Sequence, residues 1–342
     1  MRFVSPRVVD VMDETPAALG PDDVRLRTLF SGISAGTELT AYRGSNPYLA
    51  KRWDDERRLF VDGDASFDFP LVGWGYEEVG EVVELGSAVT GLSLGQRVWG
   101  HWGHREETVM AGAEVSPQVL DPLADPRVGM FSQIGGIALN VVLDADIHVG
   151  ETVAVFGVGV PGQLAAQLAR LNGARVIVID GVASRRELAL RLGADVALDV
   201  AEGDVAERIR DLTDGRGADV CLEVTGNYAA LQEAIRSVAY SSRVVVAGFM
   251  QGNGTGLRLG EEFHHNRVQV IASQISGVAP ELQHRWDRHR LDSTAIELAV
   301  AGKIAVTDLI THTFPLENAA EAFALLDEGH EDVLQVVLEV PA

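Results

Sequence analysis

The sequence has one cysteine and far fewer basic than acidic residues. The lack of cysteine limits the possible disulfides and metal sites, and the lack of basic residues limits the possible binding partners. Cys221 alone excludes an internal disulfide and every zinc site that needs several cysteines. The chain carries 28 lysines and arginines against 50 aspartates and glutamates, a formal net charge of −22. Nucleic acid and anionic membranes both bind clustered positive charge, so neither is expected as a partner.

Long hydrophobic runs are also missing from the sequence. We find no apolar stretch as long as a membrane span, and no basic segment followed by an apolar one at the N-terminus. These features predict a cytoplasmic location. The 342 residues, 46% of them hydrophobic and 23% charged, exceed the length of one typical domain, so two domains are expected.

Residues 152–170 have the pattern of a buried strand, a glycine turn and a helix. Residues 152–156 are apolar or β-branched, as in a parallel strand covered on both faces. Gly157, Gly159 and Gly162 follow as G-x-G-x-x-G, with Val160 and Pro161 between the last two glycines. Such glycines permit a tight turn, the approach of a pyrophosphate and close helix packing. The diphosphate would lie at the positive end of the helix.

A second strand pattern ends at Asp180, where an acidic residue binds the ribose of a dinucleotide. The combination predicts a dinucleotide site; the alternative is a glycine-rich turn without a ligand. Asp180 favours NAD because a carboxylate repels a 2′-phosphate. Arg185 and Arg186 follow and keep NADP possible, because arginines can bind that phosphate. Four further residues at strand ends are expected on the nicotinamide side: Thr225, Gly226, Gly248 and Gln274.

The order of patterns along the chain predicts two kinds of domain. Residues 1–124 alternate short strands and turns, which indicates an antiparallel, partly barrel-like β domain. From residue 152 to residue 275, strands alternate with helices, which predicts about six parallel strands with helices on both faces. Residues 41–69 form a long polar insert with several aromatic residues. A connection of that length suggests either a substrate-covering lid or a surface or dimer-contact loop.

Several motifs together resemble the medium-chain dehydrogenase/reductase superfamily along nearly the whole chain: SGISAGTE, GYEEVGEVVELG, LGQRV, the glycine turn and THTFPLENAAEAF. The resemblance implies an α/β fold, in which a doubly wound parallel Rossmann sheet accompanies a GroES-like β-rich catalytic domain. It assigns residues 1–124 and 277–342 to the catalytic domain and residues 125–276 to the Rossmann domain, with the active site in the cleft between them. It also implies a homodimer formed through the last Rossmann strand, near residues 268–275, with a tetramer, as in some members, as the alternative.

Departures from the family pattern bear on metal binding. Zinc-dependent members have a cysteine where Ala35 stands, a histidine where Tyr76 stands, and a cysteine or acid near Ser132 and Gln133. No four-cysteine lobe is present. The resemblance therefore implies no zinc, and AGTE with GYE is most similar to a subgroup that includes bacteriochlorophyllide a dehydrogenase and relatives from secondary metabolism. A metal site made by His101 and His104 with Glu38 or Glu77 is the alternative to plain surface or cleft histidines.

Without zinc, hydrogen-bond donors must stabilise the charge that develops on the substrate oxygen. By resemblance, Thr37 is the hydroxyl that bonds this oxygen, Tyr76 points into the cleft, and Glu38 and Glu77 orient these donors. The alternatives are structural: a turn threonine, an acid paired with an arginine, and an aromatic ring filling the metal's place.

The resulting prediction is a zinc-independent NAD(P)-dependent dehydrogenase or ketone reductase that interconverts a polar secondary alcohol and its ketone. Its small-molecule substrate would be a sugar, a cyclitol or a natural-product intermediate. A quinone or enoyl reductase is the alternative enzyme, because conjugate hydride addition needs no metal. A dinucleotide-binding protein without activity is the third possibility.

Overall fold

The computed structural model describes residues 1–341, which form two compact units. One unit comprises Met1–Ser132 with the described part of Thr307–Ala342, and the other comprises Gln133–Val306. The strands are β1 Arg2–Ser5, β2 Val8–Asp10, β3 Asp23–Ile33, β4 Arg52–Asp54, β5 Leu59–Val61, β6 Leu71–Val72, β7 Glu78–Leu85, β8 Arg97–Gly100, β9 Glu107–Ala111, β10 Thr152–Phe156, β11 Arg175–Asp180, β12 Val196–Asp199, β13 Ala218–Glu223, β14 Val238–Val246, β15 Gln269–Ala272, β16 Ile310–Pro315 and β17 Gln335–Glu339.

The helices and short turns complete this order. The helices are α1 Thr37–Arg43, α2 Gly112–Val115, α3 Ser132–Ala145, α4 Val160–Leu171, α5 Ala183–Arg191, α6 Val205–Asp211, α7 Tyr228–Ser237, α8 Arg288–Val300 and α9 Ala319–Glu328. Short 3-10 turns occupy Pro47–Leu49, Ser116–Gln118, Pro126–Phe131, Pro280–Leu282, Thr307–Leu309 and Leu316–Asn318, and a kinked π-type turn occupies Leu259–Phe263.

The second unit is a doubly wound parallel sheet, as the alternating pattern predicts. Its six strands lie in the order β12-β11-β10-β13-β14-β15, and every neighbouring pair is parallel. All five residues of β10 are buried, which explains its run of apolar and β-branched residues. The strand order reverses direction at β10, so the turn after this strand lies where ligands of open α/β sheets bind.

The first unit is built around β3, a long strand with neighbours on both sides. Its sheet runs β16-β17-β3-β7-β8, with β9 pairing the first half of β3. The β16–β17 pair is parallel and the other pairings are antiparallel. A separate sheet joins β2, β1 and β6, and the hairpin of β4 and β5 lies in the insert. The β-rich domain expected from the first 124 residues is therefore confirmed.

Packing places residues 277–306 in the unit with the parallel sheet, whereas the family pattern assigns them to the catalytic domain. The reason is the contact of α8 with α3. A Cβ atom added at Gly135 would lie 2.7 Å from the Cβ of Ala295, so the glycine lets the two helices approach closely. By packing, residues 277–306 belong to the unit with the parallel sheet. That they serve the catalytic domain in function remains a prediction.

The helical stretch Pro126–Ala145 is long and apolar enough to cross a membrane by length and composition. The expectation that no apolar stretch reaches this length is therefore wrong. Within the fold, 89% of its most apolar window is buried. A core helix passes the same test of length and composition, and its burial explains the apolar sequence without a bilayer.

Candidate active site

Three glycines shape the turn after β10, each for a different reason. Gly157 has a φ of +87°, and a Cβ there would lie 2.4 Å from Cγ2 of Thr225. A Cβ at Gly162 would lie 2.0 Å from the carbonyl oxygen of Gly157, so α4 packs directly on the turn. At Gly159 no described heavy atom lies within 4 Å of the added Cβ. The turn is therefore closed towards the protein and open at Gly159, as a pyrophosphate site requires.

Asp180 lies at the end of β11 and faces this turn. Its Oδ2 accepts the N–H of Val158 at 2.8 Å, and its Oδ1 accepts the N–H of Val182 at 2.8 Å. These bonds fix the orientation of the carboxylate. Each oxygen retains a lone pair for a ribose hydroxyl, because a carboxylate offers about four acceptor positions. Val160 and Pro161 form the first turn of α4, where proline costs no helical hydrogen bond.

A cavity of about 590 Å³ adjoins the turn in the second unit. Among its lining residues are Gly157, Asp180, Arg185, Thr225 and Arg236. Arg236 is neutralised locally by Asp204 and Glu233, at 2.7 and 2.8 Å. The fold thus brings together residues that are distant in sequence around one concave surface at the carboxyl ends of β10, β11 and β13.

The two arginines after Asp180 have different surroundings. Arg186 donates to the carbonyl of Asp180 at 2.8 Å and forms a 2.6 Å ion pair with Asp199. Arg185 lines the cavity. Arg186 is therefore engaged within the fold, whereas Arg185 borders the cavity beside the glycine turn.

Glu223, which the sequence analysis missed, organises the end of β13. It is 0% exposed, and its Oε1 accepts the N–H and the hydroxyl of Thr225, while its Oε2 accepts the N–H of Gly226 at 3.3 Å. A Cβ at Gly248 would lie 2.1 Å from the nitrogen of Gly226, so these turns touch. Gln274 is exposed in the turn after β15, where its side-chain oxygen accepts the N–H of Ser276 at 2.6 Å. The sequence pattern that could have indicated Glu223 is an acidic residue two positions before a Thr-Gly pair at the end of a strand.

In the first unit, two loops bring together three hydroxyl groups. Tyr76 donates its hydroxyl hydrogen to Oγ of Ser34 in a short bond, and its oxygen lies 3.4 Å from Oγ1 of Thr37. Thr37 begins α1, and Tyr76 lies two residues before β7. Burial first, and then the charge of Glu77, raise the pKa of the Tyr76 phenol. The phenol is therefore held neutral, as a hydrogen-bond donor.

Glu38 is buried beneath these hydroxyls, and its partner is not the arginine weighed in the sequence analysis. Its Oε2 lies 2.6 Å from Nε2 of His104, with both side chains 0% exposed. Its Oε1 accepts the backbone N–H of Ser34 at 2.9 Å. The expectation that His104 is a surface or cleft histidine is wrong, because residues 101–104 fold inward against β3 and α9.

Glu77 is also buried, but it faces a different partner. Its Oε2 accepts from the side-chain amide of Gln335 at 3.2 Å, and its Oε1 has no hydrogen-bond partner among the described residues. Burial first, and then the charges of Glu38 and Glu78, raise the pKa of Glu77 well above its usual value. No hydrogen bond joins Glu77 to Tyr76 or Thr37 within the described residues, so its influence on them is electrostatic.

The insert forms a hairpin that packs its own aromatic rings together. The ring of Phe60 lies 4.9 Å from Trp53 and 5.1 Å from Tyr48, and Tyr48 stacks on Phe67 at 5.0 Å. Phe67 in turn contacts Trp74 at 5.9 Å, two residues before Tyr76. The aromatic cluster therefore runs from the hairpin to the loop that carries Tyr76. Tyr42, by contrast, packs against Phe323 of α9.

Comparison with known proteins identifies the family. A family model described as zinc-binding dehydrogenase matches residues 159–288. D-guloside 3-dehydrogenase of Escherichia coli (strain K12) is 30% identical over 335 residues, covering 96% of this chain and 95% of the relative. The chain belongs to the medium-chain dehydrogenase/reductase superfamily. It is an enzyme of the alcohol dehydrogenase type that uses a nicotinamide cofactor.

Solved structures of this superfamily have the same fold. A chain from Sinorhizobium meliloti 1021, solved with bound NADP, is 24% identical, with a TM-score of 0.78 over 99% of this chain and 98% of that one. The 2R,3R-butanediol dehydrogenase of Bacillus subtilis is 20% identical, with a TM-score of 0.79 over 99% of both chains. The Rossmann and GroES-like architecture expected from the sequence is thereby confirmed.

The family's zinc positions in this enzyme hold residues that do not fit the metal. Ala35 has no ligand atom, and the hydroxyl of Tyr76 is engaged with Ser34. Ser132 is 0% exposed, and the Gln133 amide oxygen accepts from Arg288. Within residues 1–341 there is no group of three or more histidine, cysteine or acidic residues arranged to hold a metal. The donor set that zinc prefers, thiolate and imidazole, is replaced by hydroxyls and an amide.

Proposed function

We propose that this enzyme interconverts a polar secondary alcohol and its ketone by hydride transfer with NAD, without a metal ion. The observation that carries the proposal is the hydrogen bond from Tyr76 to Ser34 beside Thr37. This bond supports the proposal because Tyr76 stands at a sequence position where zinc-dependent members of the family have a metal ligand. Hydroxyl groups stabilise a developing alkoxide by donating hydrogen bonds, as a Lewis acid does by its charge.

In this proposal, Tyr76 and Thr37 bind the oxygen of the substrate. During ketone reduction the carbonyl carbon receives a hydride, and its oxygen accepts hydrogen bonds from Tyr76 and Thr37 as negative charge develops on it. The proton that completes the alcohol comes from solvent and is relayed to this oxygen through the hydroxyl groups. The nicotinamide supplies the hydride, or accepts it in the reverse direction. Because burial raises the pKa of Tyr76, the phenol stays protonated and stabilises the alkoxide by donating a hydrogen bond rather than by giving up its proton.

The two flanking acids have separate proposed roles. Glu38 positions Ser34 through its backbone N–H, and so positions the acceptor of the Tyr76 bond. Burial raises the pKa of Glu77, which favours its neutral form, and in that form it adds no negative charge near an oxygen that becomes negative. A charged Glu77 would oppose reduction by repelling the alkoxide.

We place the cofactor on the turn at Gly157, Gly159 and Gly162, with the diphosphate at Val160 and Pro161. Asp180 accepts the ribose hydroxyls, and Arg185 lies beside the adenosine. Thr225, Gly226, Gly248 and Gln274 complete the nicotinamide side.

NAD is favoured over NADP in this proposal, because Asp180 faces the ribose and Arg186 is bound to Asp199 rather than available for a phosphate. The S. meliloti neighbour was solved with NADP, so the choice is open to measurement.

The substrate class is proposed from the hairpin and from the relatives. A sugar, a cyclitol or a natural-product intermediate combines several hydroxyls with an apolar ring face. In this proposal the aromatic cluster of the insert packs against the apolar ring face, and the polar groups of the site form hydrogen bonds with the hydroxyls. The E. coli relative is named for a guloside. The proposal thus treats the insert as a substrate-covering lid and places the enzyme in the zinc-lacking subgroup.

Assembly and location follow the family pattern. We propose a homodimer through β15, an edge strand of the parallel sheet, where Val270 is 42% exposed. Pairing across a two-fold axis would remove that edge. The cytoplasm is the proposed location, because a nicotinamide pool is required.

The decisive test is a substrate panel run on one preparation with a metal analysis. Methyl glycosides and cyclitols are offered with NAD and with NADP, and quinones and enoyl thioesters are offered with NADH and NADPH. Oxidation of glycosides or cyclitols, without stoichiometric zinc, supports the proposal. Turnover only of quinones or enoyl thioesters would make it a reductase of the same superfamily, and activity that tracks bound zinc would refute the metal-free mechanism.

A further inference from the structure

His104 connects the two loops that carry the hydroxyl cluster. Its backbone N–H donates to the carbonyl oxygen of Trp74 at 3.0 Å, two residues before Tyr76. Its Nε2 lies 2.6 Å from Glu38, whose other oxygen accepts the N–H of Ser34. Tyr76 and its acceptor Ser34 come from different loops, and His104 is hydrogen-bonded to Trp74 in the first loop and, through Glu38, to Ser34 in the second.

The far side of the imidazole is equally engaged. Nδ1 of His104 lies 2.7 Å from Oγ of Ser31, and Ser31 donates to Oε1 of Glu78 at 3.0 Å. The other oxygen of Glu78 accepts the N–H of Trp102 at 2.8 Å. The ring is therefore held at both nitrogens, with the ring of Phe323 5.9 Å away.

Counting hydrogens shows that this network shares one proton. Ser31 has a single hydroxyl hydrogen. If Ser31 gives it to Glu78 and Glu38 accepts from Nε2, both nitrogens of His104 donate, and the imidazole is protonated. If the proton lies on Glu78 instead, Glu78 donates to Ser31, and Ser31 donates to a neutral His104. Moving between these states shifts two hydrogens and leaves every hydrogen bond in place.

Two glycines let the loop that carries Tyr76 lie directly against the loop that carries His104. A Cβ at Gly75 would lie 2.8 Å from Oε1 of Glu78 and 3.0 Å from the nitrogen of His104. Gly103 has a φ of +77°, and a Cβ there would lie 3.1 Å from the carbonyl oxygen of Gly73. The glycines beside Tyr76 and His104 thus allow the two loops to touch.

We propose that His104 is a positioning residue for the reaction, which sets the geometry of the Tyr76, Ser34 and Thr37 hydroxyls by holding Glu38 and the Trp74 carbonyl. The inference rests on the proposed function. It goes beyond it by assigning a role to a histidine outside the hydroxyl cluster and to the pair of Ser31 and Glu78 behind it.

The electrostatic surroundings agree with this role. Burial lowers the pKa of His104, but the charge and hydrogen bond of Glu38 and the charge of Glu78 outweigh it, and the net pKa is raised. The charged groups that face the ring are Glu38 on α1, Glu78 on β7 and the amino group of Met1, which bonds the His104 carbonyl at 3.0 Å. The ion pair with Glu38 therefore persists to a higher pH than an isolated histidine would allow.

The test compares His104→Gln with His330→Gln. His330 forms a similar pair with Glu328 at 2.8 Å, but on the surface, with side chains 55% and 63% exposed. We expect His104→Gln to lower kcat about 100-fold, as a displacement near the reacting atoms does, while the KM for NAD stays unchanged. His330→Gln leaves both constants unchanged.

Ser31→Ala provides a milder variant if His104→Gln fails to fold. It keeps the His104–Glu38 pair but removes the hydroxyl through which His104 and Glu78 share a proton. The pH profile of kcat is therefore expected to shift, while the KM for NAD stays unchanged. Three results would each overturn the role of His104 while leaving the proposed function intact. They are a folded His104→Gln variant with unchanged kcat, a Ser31→Ala variant whose pH profile does not shift, and a rise in the KM for NAD that parallels the fall in kcat. Wild-type protein with no turnover in the panel would overturn the proposed function as well.

Discussion

The backbone N–H of Val158 donates a 2.8 Å hydrogen bond to Oδ2 of Asp180, which joins the glycine turn to the end of the neighbouring strand. One carboxylate thus supports the turn and, in the proposed function, faces the ribose. Changes at Asp180 should therefore affect the cofactor more than the substrate.

Asp180→Asn is expected to raise the KM for NAD about tenfold, because a hydrogen bond to a charged group contributes about 1.5–3 kcal/mol. The ratio of NADP to NAD activity should rise, since the repulsion of a 2′-phosphate is removed. Steady-state kinetics with both cofactors measure this. Asp195→Asn is the matched control, because Asp195 also accepts a backbone N–H, that of Val176 at 2.8 Å, at the other end of β11. Equal effects of the two variants would contradict a role in cofactor choice.

Two glycine substitutions should separate folding from cofactor binding. Gly162→Ala puts a methyl group 2.0 Å from a backbone oxygen, so both thermal stability and NADH binding should fall. Gly159→Ala meets no described atom within 4 Å, so the protein should keep its stability and lose affinity for NADH by about tenfold or more. Thermal unfolding and NADH fluorescence titration check both. Full affinity in Gly159→Ala would place the diphosphate elsewhere.

Tyr76→Phe keeps the ring and removes the hydroxyl. We expect kcat to fall roughly 100- to 1,000-fold, the usual cost of removing one donor to a developing oxyanion. Thr37→Val should lower kcat less than Tyr76→Phe does, because the Thr37 hydroxyl lies farther from the Tyr76 oxygen, at 3.4 Å, than the Ser34 hydroxyl does. NADH affinity is the internal control and should not change. A Tyr76→Phe enzyme with wild-type kcat would favour the packed-aromatic interpretation of this residue.

Asp292 on α8 should make the protein less stable as the pH rises. It is 3% exposed, and burial raises its pKa from 3.8 to about 7, against the opposing charge of Arg288. Between these two values the folded state binds more protons than the unfolded state, so the free energy of unfolding decreases as the pH rises through this window. The full loss is on the order of 4 kcal/mol, since each pKa unit corresponds to about 1.4 kcal/mol.

Asp292→Asn is therefore expected to be more stable than wild type at pH 8 and to lose that advantage near pH 4. Urea unfolding at several pH values measures the difference. Glu297→Gln, on an exposed face of the same helix, should show no such trend. An Asp292→Asn protein that is destabilised at every pH would show that the carboxylate has a partner it needs.

The sequence by itself determined the glycine turn of the parallel-sheet unit and the family of this protein. A strand, a glycine turn and a helix are encoded by consecutive residues, because the backbone conformations of glycine and the burial of a parallel strand are local properties. The element pattern also predicted the parallel sheet and the β-rich unit. Ala35 and Tyr76 could be compared with the family's zinc positions without any coordinates.

Only the tertiary structure decided which groups support the hydroxyl cluster. Glu38 and His104 are separated by 66 positions, and Tyr76 and Ser34 by 42. Residues 101–104 look like an exposed glycine-rich turn in sequence, yet packing buries His104 against Glu38 and Phe323. Contacts across such separations depend on how β3, β7 and α9 pack, and no local pattern records them. For the same reason the partner of Glu38, the role of Glu223 and the assignment of residues 277–306 to the parallel-sheet unit came from the structure.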